Sequence, residues 1–217
     1  MNVQRKAQWK TIFRILRKNY PNLKIGLTQW KNPFELTIST ILSAQCTDAR
    51  VNLVTKSLFK KYRKPTDYLK VAPEELELDI RSTGFYKNKT KNIRGLCTRL
   101  ISHYGGNIPE RMEELITLPG VGRKTANIVL FAGFNKKEGI AVDTHVFRVS
   151  KRLGLAEGKT PEKVERQLME IVDKKDWGNL TNYLIGHGRK ICVAQKPRCS
   201  ICPLTKICPR VGVTKWA

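Results

Sequence analysis

The chain has 217 residues, 41 % of them hydrophobic, and its 41 Lys and Arg against 18 Asp and Glu leave a net charge of +23. No apolar run reaches the ~18–20 residues that span a bilayer, and the charge-broken N-terminus lacks the apolar stretch of a secretion signal, so the expected setting is intracellular with no membrane partner. The excess of cations points to a polyanion, nucleic acid before membrane, because the basic residues are spread along the chain and not gathered on one amphipathic segment.

Taken in chain order, the periodicity predicts an all-α protein. Trp9, Ile12, Phe13, Ile15 and Leu16 fall at helical spacing. Asn32–Pro33 is a helix-start pair, and the run that follows is apolar at i, i+3 and i+4 as far as Gln45, a polar residue at the helix end. Thr47 or Asp48 can cap the next helix. Pro65, Pro73, Pro109, Pro119 and Pro161 each fall just before or inside the first turn of a predicted helix. After Phe85, Lys87, Lys89, Lys91 and Arg94 offer either phosphate contacts or a solvated helix face. Cys46 and Cys97 read as packing cysteines. Alternating patterns are scarce, and no repeat or low-complexity linker marks a boundary, so any division into domains falls between helices.

The segment LPGVGRKTANIVL, residues 118–130, is the most informative. Gly120 and Gly122 flank Val121 in a predicted hairpin that follows Leu118–Pro119, and Arg123 opens an apolar helix. Glycines let the backbone turn sharply and approach another surface, and amides at a helix start suit a phosphate oxygen. The plain alternative is a helix–helix turn with Val121 in the core. Lys124 tilts the balance: a cation in a first helical turn opposes the dipole, which, with Arg123 beside it, favours the neutral amine of Schiff-base chemistry.

Further on, Asp143 follows the apolar run Ile140, Ala141 and Val142 and precedes a helix built on Val146, Phe147, Val149 and Leu153. By itself it reads as an N-cap. Nineteen positions separate it from Lys124, enough for one helix and a return. Thr160, Pro161, Glu162 and Glu165 make a well-formed helix start. His145 and His187 lack metal spacing and take structural roles.

Near the C-terminus, Cys192, Cys199, Cys202 and Cys208 form the pattern C-x6-C-x2-C-x5-C. An intracellular chain does not keep a disulfide framework, which moves these thiols toward metal. Zinc prefers paired knuckles, of which only Cys199 and Cys202 make one; four close thiolates also suit a [4Fe-4S] cluster. From Arg189 to Arg210, both included, there are six basic residues and no acidic one.

LPGVGRKTAN, VDTHVFRV and the cysteine pattern, together with PFELTISTILSAQCTD and GFYKNKTKNI, resemble the endonuclease III family of helix-hairpin-helix DNA glycosylases over nearly the whole chain. The resemblance implies two helical lobes with a DNA cleft between them: a six-helix domain over 25–136, and a second lobe of 1–24 plus 137–217 carrying a [4Fe-4S] cluster on the four cysteines. It implies a monomeric, DNA-associated repair enzyme that binds double-stranded DNA containing damaged pyrimidines or abasic sites, removes the base and nicks the strand. By the same match Lys124 is the nucleophile and Asp143 the catalytic carboxylate. Gln45 fills the gap left by the flipped base, and Phe85 stands where the family usually has a wedge leucine. Leu118, Gly120, Val121, Gly122 and Arg123 clamp the backbone, helped by Lys196 and Arg198 beside the cluster.

Three competing readings are weaker. An adenine-specific mismatch glycosylase would carry a glutamate in the helix before Gln45, where LTISTIL has no acid after Glu35. A monofunctional thymine or uracil glycosylase has no use for Lys124 as nucleophile. A non-catalytic DNA-binding module would keep the glycines and cysteines without needing Lys124 and Asp143.

Overall fold

The computed structural model describes residues 2–21, 23 and 26–217, and among these the regular structure is entirely helical. Eleven α-helices follow in order: α1 Asn2–Asn19, α2 Pro33–Leu42, α3 Asp48–Lys61, α4 Pro65–Lys70, α5 Pro73–Ile80, α6 Tyr86–Tyr104, α7 Met112–Leu115, α8 Arg123–Ile128, α9 Thr144–Arg152, α10 Pro161–Ile171 and α11 Trp177–Lys190. Local chemistry sets most of the starts. Asn32 accepts the Glu35 amide at 2.9 Å ahead of Pro33, and Thr160 accepts the Lys163 amide at 3.3 Å ahead of Pro161. Pro65 and Pro73 occupy the opening positions of α4 and α5. Pro109 and Pro119 differ. Pro109 lies in the extended stretch before α7, and Pro119 in the turn before α8, because the left-handed Gly120 (φ 78°) prolongs that turn.

The chain divides into two compact units, Ile25–Glu138 and Met1–Lys24 with Gly139–Ala217. The contiguous unit buries Leu36, Ile38, Leu58, Tyr68, Leu96 and Leu130 in one core. Each such side chain is worth about 1.5–3 kcal/mol when fully buried. Helix α2 is the most enclosed element, with every residue from Phe34 to Leu42 buried. After α8 the backbone widens into a π-helical turn, Val129–Gly133, that sets Gly133 against Pro33 at the start of α2.

Two basic side chains of α6, read from sequence as phosphate contacts or a solvated face, are structural. Lys89 is 3 % exposed, and its ammonium donates to the carbonyls of Leu42 at 2.8 Å and Thr83 at 2.9 Å. Arg94 donates to the carbonyls of Tyr68 and Val71 at 2.8 and 2.7 Å. The last carbonyls of a helix have no partner within it, and these cations supply one for the ends of α2 and α4. Lys87 and Lys91, on the same helix, are exposed.

In the other unit, α1 packs against α10 and α11, burying Trp9, Ile12 and Leu16 with Val164, Leu168 and Leu184. Glu165 is buried in this core and accepts the Ile140 amide at 3.2 Å, which ties α10 to the strand-like stretch leading into α9.

Candidate active site and metal centre

In the contiguous unit, α7, the glycine turn and α8 form a helix-hairpin-helix. Leu118 and Val121 are 2 % and 4 % exposed, so their side chains belong to the core and the hairpin offers its backbone. Gly120 could not be replaced without strain: φ is +78°, and an added Cβ would lie 3.0 Å from Asn92 Cβ. Gly122 is the N-cap of α8 and brings no side chain to its first amides. Arg123 and Lys124 follow directly and are exposed.

Next to the hairpin is a pocket lined by Thr40, Gln45, Phe85, Asn88, Asn92 and Thr125, among others. Gln45 and Phe85 both stand on its rim in left-handed backbone, φ 51° and 50°. Phe85 is 63 % exposed. Three sequence candidates, Gln45, Phe85 and Gly120, thus share one pocket, beside the turn that presents Lys124.

Asp143 lies in the other unit, at the N-cap of α9. One carboxylate oxygen accepts the amides of His145 and Val146 at 2.9 and 2.8 Å, and the other faces His145 Nδ1 at 3.0 Å. The carboxylate is therefore held rigidly by its own helix.

The four cysteines converge on one small pocket at the end of α11, together with Arg152, His187 and Arg210. Burial first, then the charges of Cys208, Cys192 and Cys199, push the Cys202 thiol up to about 11. Thiolates crowded in this way are at ease only around a cationic centre, which strips their protons outright. Among the described residues no three His, Cys, Asp or Glu side chains close on a single-ion point; the four sulfurs border a shared volume instead. Apolar walls from Leu153, Ile191, Pro197 and Val213 complete it. Donors reach two of the sulfurs, Arg152 Nη1 to Cys192 at 3.5 Å and the Arg210 amide to Cys208 at 3.4 Å, and His187 Nε2 lies beside Cys202 at 3.6 Å. Four thiols, an apolar shell and N–H donors to sulfur fit a [4Fe-4S] cluster. Lys196 and Arg198 are exposed on the same loop.

Sequence reasoning missed the residues that hold this loop. Arg148 sends Nε to the Cys192 carbonyl at 3.2 Å and Nη2 to the Gly188 carbonyl at 3.1 Å. Arg152 adds the carbonyls of Val193 and Ala194, both at 2.7 Å. Their spacing of four on α9 puts both on one helix face, the one available signal. His187 is 1 % exposed, and burial lowers its imidazole to about 4.

Comparison with known proteins agrees with this geometry. The HhH-GPD family, described as HhH-GPD superfamily base excision DNA repair protein, matches residues 38–174, and the iron-sulfur binding domain of endonuclease III matches residues 192–208. Endonuclease III of Bacillus subtilis (strain 168) is 54 % identical over 190 residues, 87 % of this chain and 86 % of that protein. Endonuclease III of Escherichia coli (strain K12) is 40 % identical over 203 residues, 94 % and 95 % of the two chains. Among solved structures, a non-covalent endonuclease III–DNA complex superposes with a TM-score of 0.89 at 49 % identity, covering 94 % of this chain and 95 % of the other. A trapped covalent endonuclease III–DNA intermediate gives the same TM-score and identity, covering 94 % and 96 %. The chain belongs to the HhH-GPD superfamily of base excision DNA repair proteins and, within it, to the endonuclease III family.

Proposed function

We propose that this protein is a bifunctional DNA glycosylase and abasic-site lyase that removes oxidised pyrimidines from double-stranded DNA, with Lys124 as nucleophile and Asp143 as the catalytic carboxylate. One observation carries the reading: an exposed lysine follows a glycine hairpin whose helix start has no side-chain cap, so an amine stands beside backbone donors suited to phosphate. The covalent DNA intermediate of a relative at 49 % identity supports the same chemistry.

The damaged nucleotide first leaves the stack, at a cost of a few kcal/mol that damage reduces. Gln45 and Phe85 occupy the space it leaves, the amide with donors and acceptors for the orphaned base and the ring as an apolar wedge. Lys124 Nζ then forms a bond to C1′ as the C1′–N bond to the base breaks, and the base departs with the bonding pair. Asp143 stabilises the positive charge on the sugar and takes up the proton released by the amine. Ring opening gives an imine between Lys124 and C1′. The imine accepts the electron pair left when the C2′ proton is removed, and the C3′–O bond breaks to expel the 3′ phosphate. Water then hydrolyses the imine and frees the lysine.

No step needs the iron–sulfur centre. When bound, the cluster would supply a rigid anionic core to the loop of Cys192, Cys199, Cys202 and Cys208. That loop then presents Lys196 and Arg198 to the phosphate backbone. The place of action is the genome, in a prokaryotic cell the cytoplasm and nucleoid.

Borohydride reduction of the imine tests the proposal. Wild-type protein incubated with a duplex bearing an oxidised pyrimidine or an abasic site should yield a covalent adduct, and Lys124→Ala should yield none. Tight binding by the wild type with no adduct refutes the lyase assignment.

A further inference from the structure

His187 belongs to α11, five positions before Cys192, and touches two different partners through its two nitrogens. Nδ1 lies 3.0 Å from the Tyr20 hydroxyl, and Nε2 lies 3.6 Å from Cys202 Sγ. Tyr20 is 8 % exposed just past the end of α1, with the Lys190 ammonium 5.8 Å from its ring centroid. The pair therefore links the N-terminal helix, α11 and one cysteine of the metal loop within one buried array.

The surroundings decide which nitrogen carries the proton. An imidazole ring keeps at least one N–H. The Tyr20 O–H has Nδ1 as its acceptor, and a buried hydroxyl left without one costs about 1–3 kcal/mol. The hydroxyl accordingly donates to Nδ1, and the imidazole proton resides on Nε2, facing sulfur. The other tautomer would leave the phenol proton unpaired and set a nitrogen lone pair against a thiolate.

We infer that Tyr20 and His187 are a positioning pair for the iron–sulfur centre: His187 donates Nε2–H to the Cys202 thiolate, Tyr20 fixes the tautomer that allows it, and together they set the reduction potential of the cluster and its retention. The inference rests on the cluster assignment made above. Hydrogen bonds to ligand sulfur spread its negative charge and stabilise the more reduced state. Of the three donors to sulfur, this one alone comes from a side chain nearly sealed from solvent, where such a bond is strongest.

Iron and acid-labile sulfide in anaerobically prepared wild-type protein are measured first. Stoichiometric zinc without sulfide removes the cluster assignment and this inference with it. With the cluster present, the reduction potential and the rate of bleaching in air are compared for wild type, Tyr20→Phe, His187→Met and His187→Gln. His187→Met should shift the potential to more negative values and speed bleaching several-fold. Tyr20→Phe should shift both in the same direction by less, and His187→Gln, whose amide can also donate, should recover part of the loss. If His187→Met takes up no cluster, Tyr20→Phe decides the matter, since it removes one oxygen and keeps the ring. A cluster-loaded Tyr20→Phe protein with wild-type potential and wild-type bleaching overturns the inference, whatever its melting temperature.

Discussion

Gln45 and Phe85, forty positions apart, both hold left-handed backbone on the rim of the same pocket. A non-glycine residue in that region costs about 1–2 kcal/mol. Two such residues in one place mark strain kept at a working surface. Replacing Phe85 by glycine should relieve it, raising stability by about 1 kcal/mol because little ring area is buried. The same substitution should slow excision on duplex DNA while sparing cleavage of a single-stranded abasic site. Urea unfolding and gel-based cleavage measure the two effects, and a less stable variant would contradict the strain.

The basic residues fall into two groups that salt separates. Lys196→Ala and Arg198→Ala should each lower the slope of log K against log salt by about 0.9 if each touches one phosphate. Arg94→Met should leave the slope unchanged and destabilise the fold by about 2–3 kcal/mol, since its two carbonyl partners lose a charged donor. Fluorescence anisotropy titrations at several salt concentrations supply the slopes.

Asp143 caps a helix and, in the proposed mechanism, also stabilises a cationic sugar. The two tasks come apart on substitution. Asp143→Asn keeps an acceptor for the amides of His145 and Val146, so melting should move little. Base release should nevertheless fall by about 10²–10³ for want of the fixed negative charge. Asp143→Ala should lose the activity and about 1 kcal/mol of stability as well. Single-turnover excision and thermal melting, done on the same preparations, read both.

Burial pushes the Cys97 thiol from 9.0 up to about 12. The folded protein holds this proton more tightly than the unfolded chain does. Its stabilising contribution is therefore whole below pH 9.0 and disappears as the pH climbs toward about 12. Cys97→Ala should flatten the alkaline fall in stability by up to about 1.4 kcal/mol per pH unit within that window. Urea midpoints from neutral to alkaline pH check it; identical slopes for the two proteins would show that the thiol does not contribute.

What the sequence disclosed was what is decided locally. Asn32 before Pro33 and Thr160 before Pro161 announce helix starts, because the cap bond spans three residues. The glycine hairpin could be read in the same way, since Gly120 and Gly122 lie within one turn. Lys89 was illegible because its partner Leu42 is 47 residues away, and a lysine among lysines gives no hint of burial. The π-helical turn at Val129–Gly133 follows from packing against α2, which no pattern in the segment records. His187 stayed hidden for a related reason: its meaning depends on Tyr20, at the other end of the chain.

The division of the chain into one contiguous unit and one assembled from both ends has a consequence for biosynthesis. Residues 25–138 hold their own core and can begin to fold as they leave the ribosome, whereas Trp9, Ile12 and Leu16 of α1 find their partners on α10 and α11. At ~5–20 residues per second, the apolar stripe of α1 waits roughly 10–30 s before its partners are made. A helix synthesised well before α10 and α11 is thus among the last to be covered. A chain that stops before α10 leaves Trp9, Ile12 and Leu16 without the apolar partners of α10 and α11.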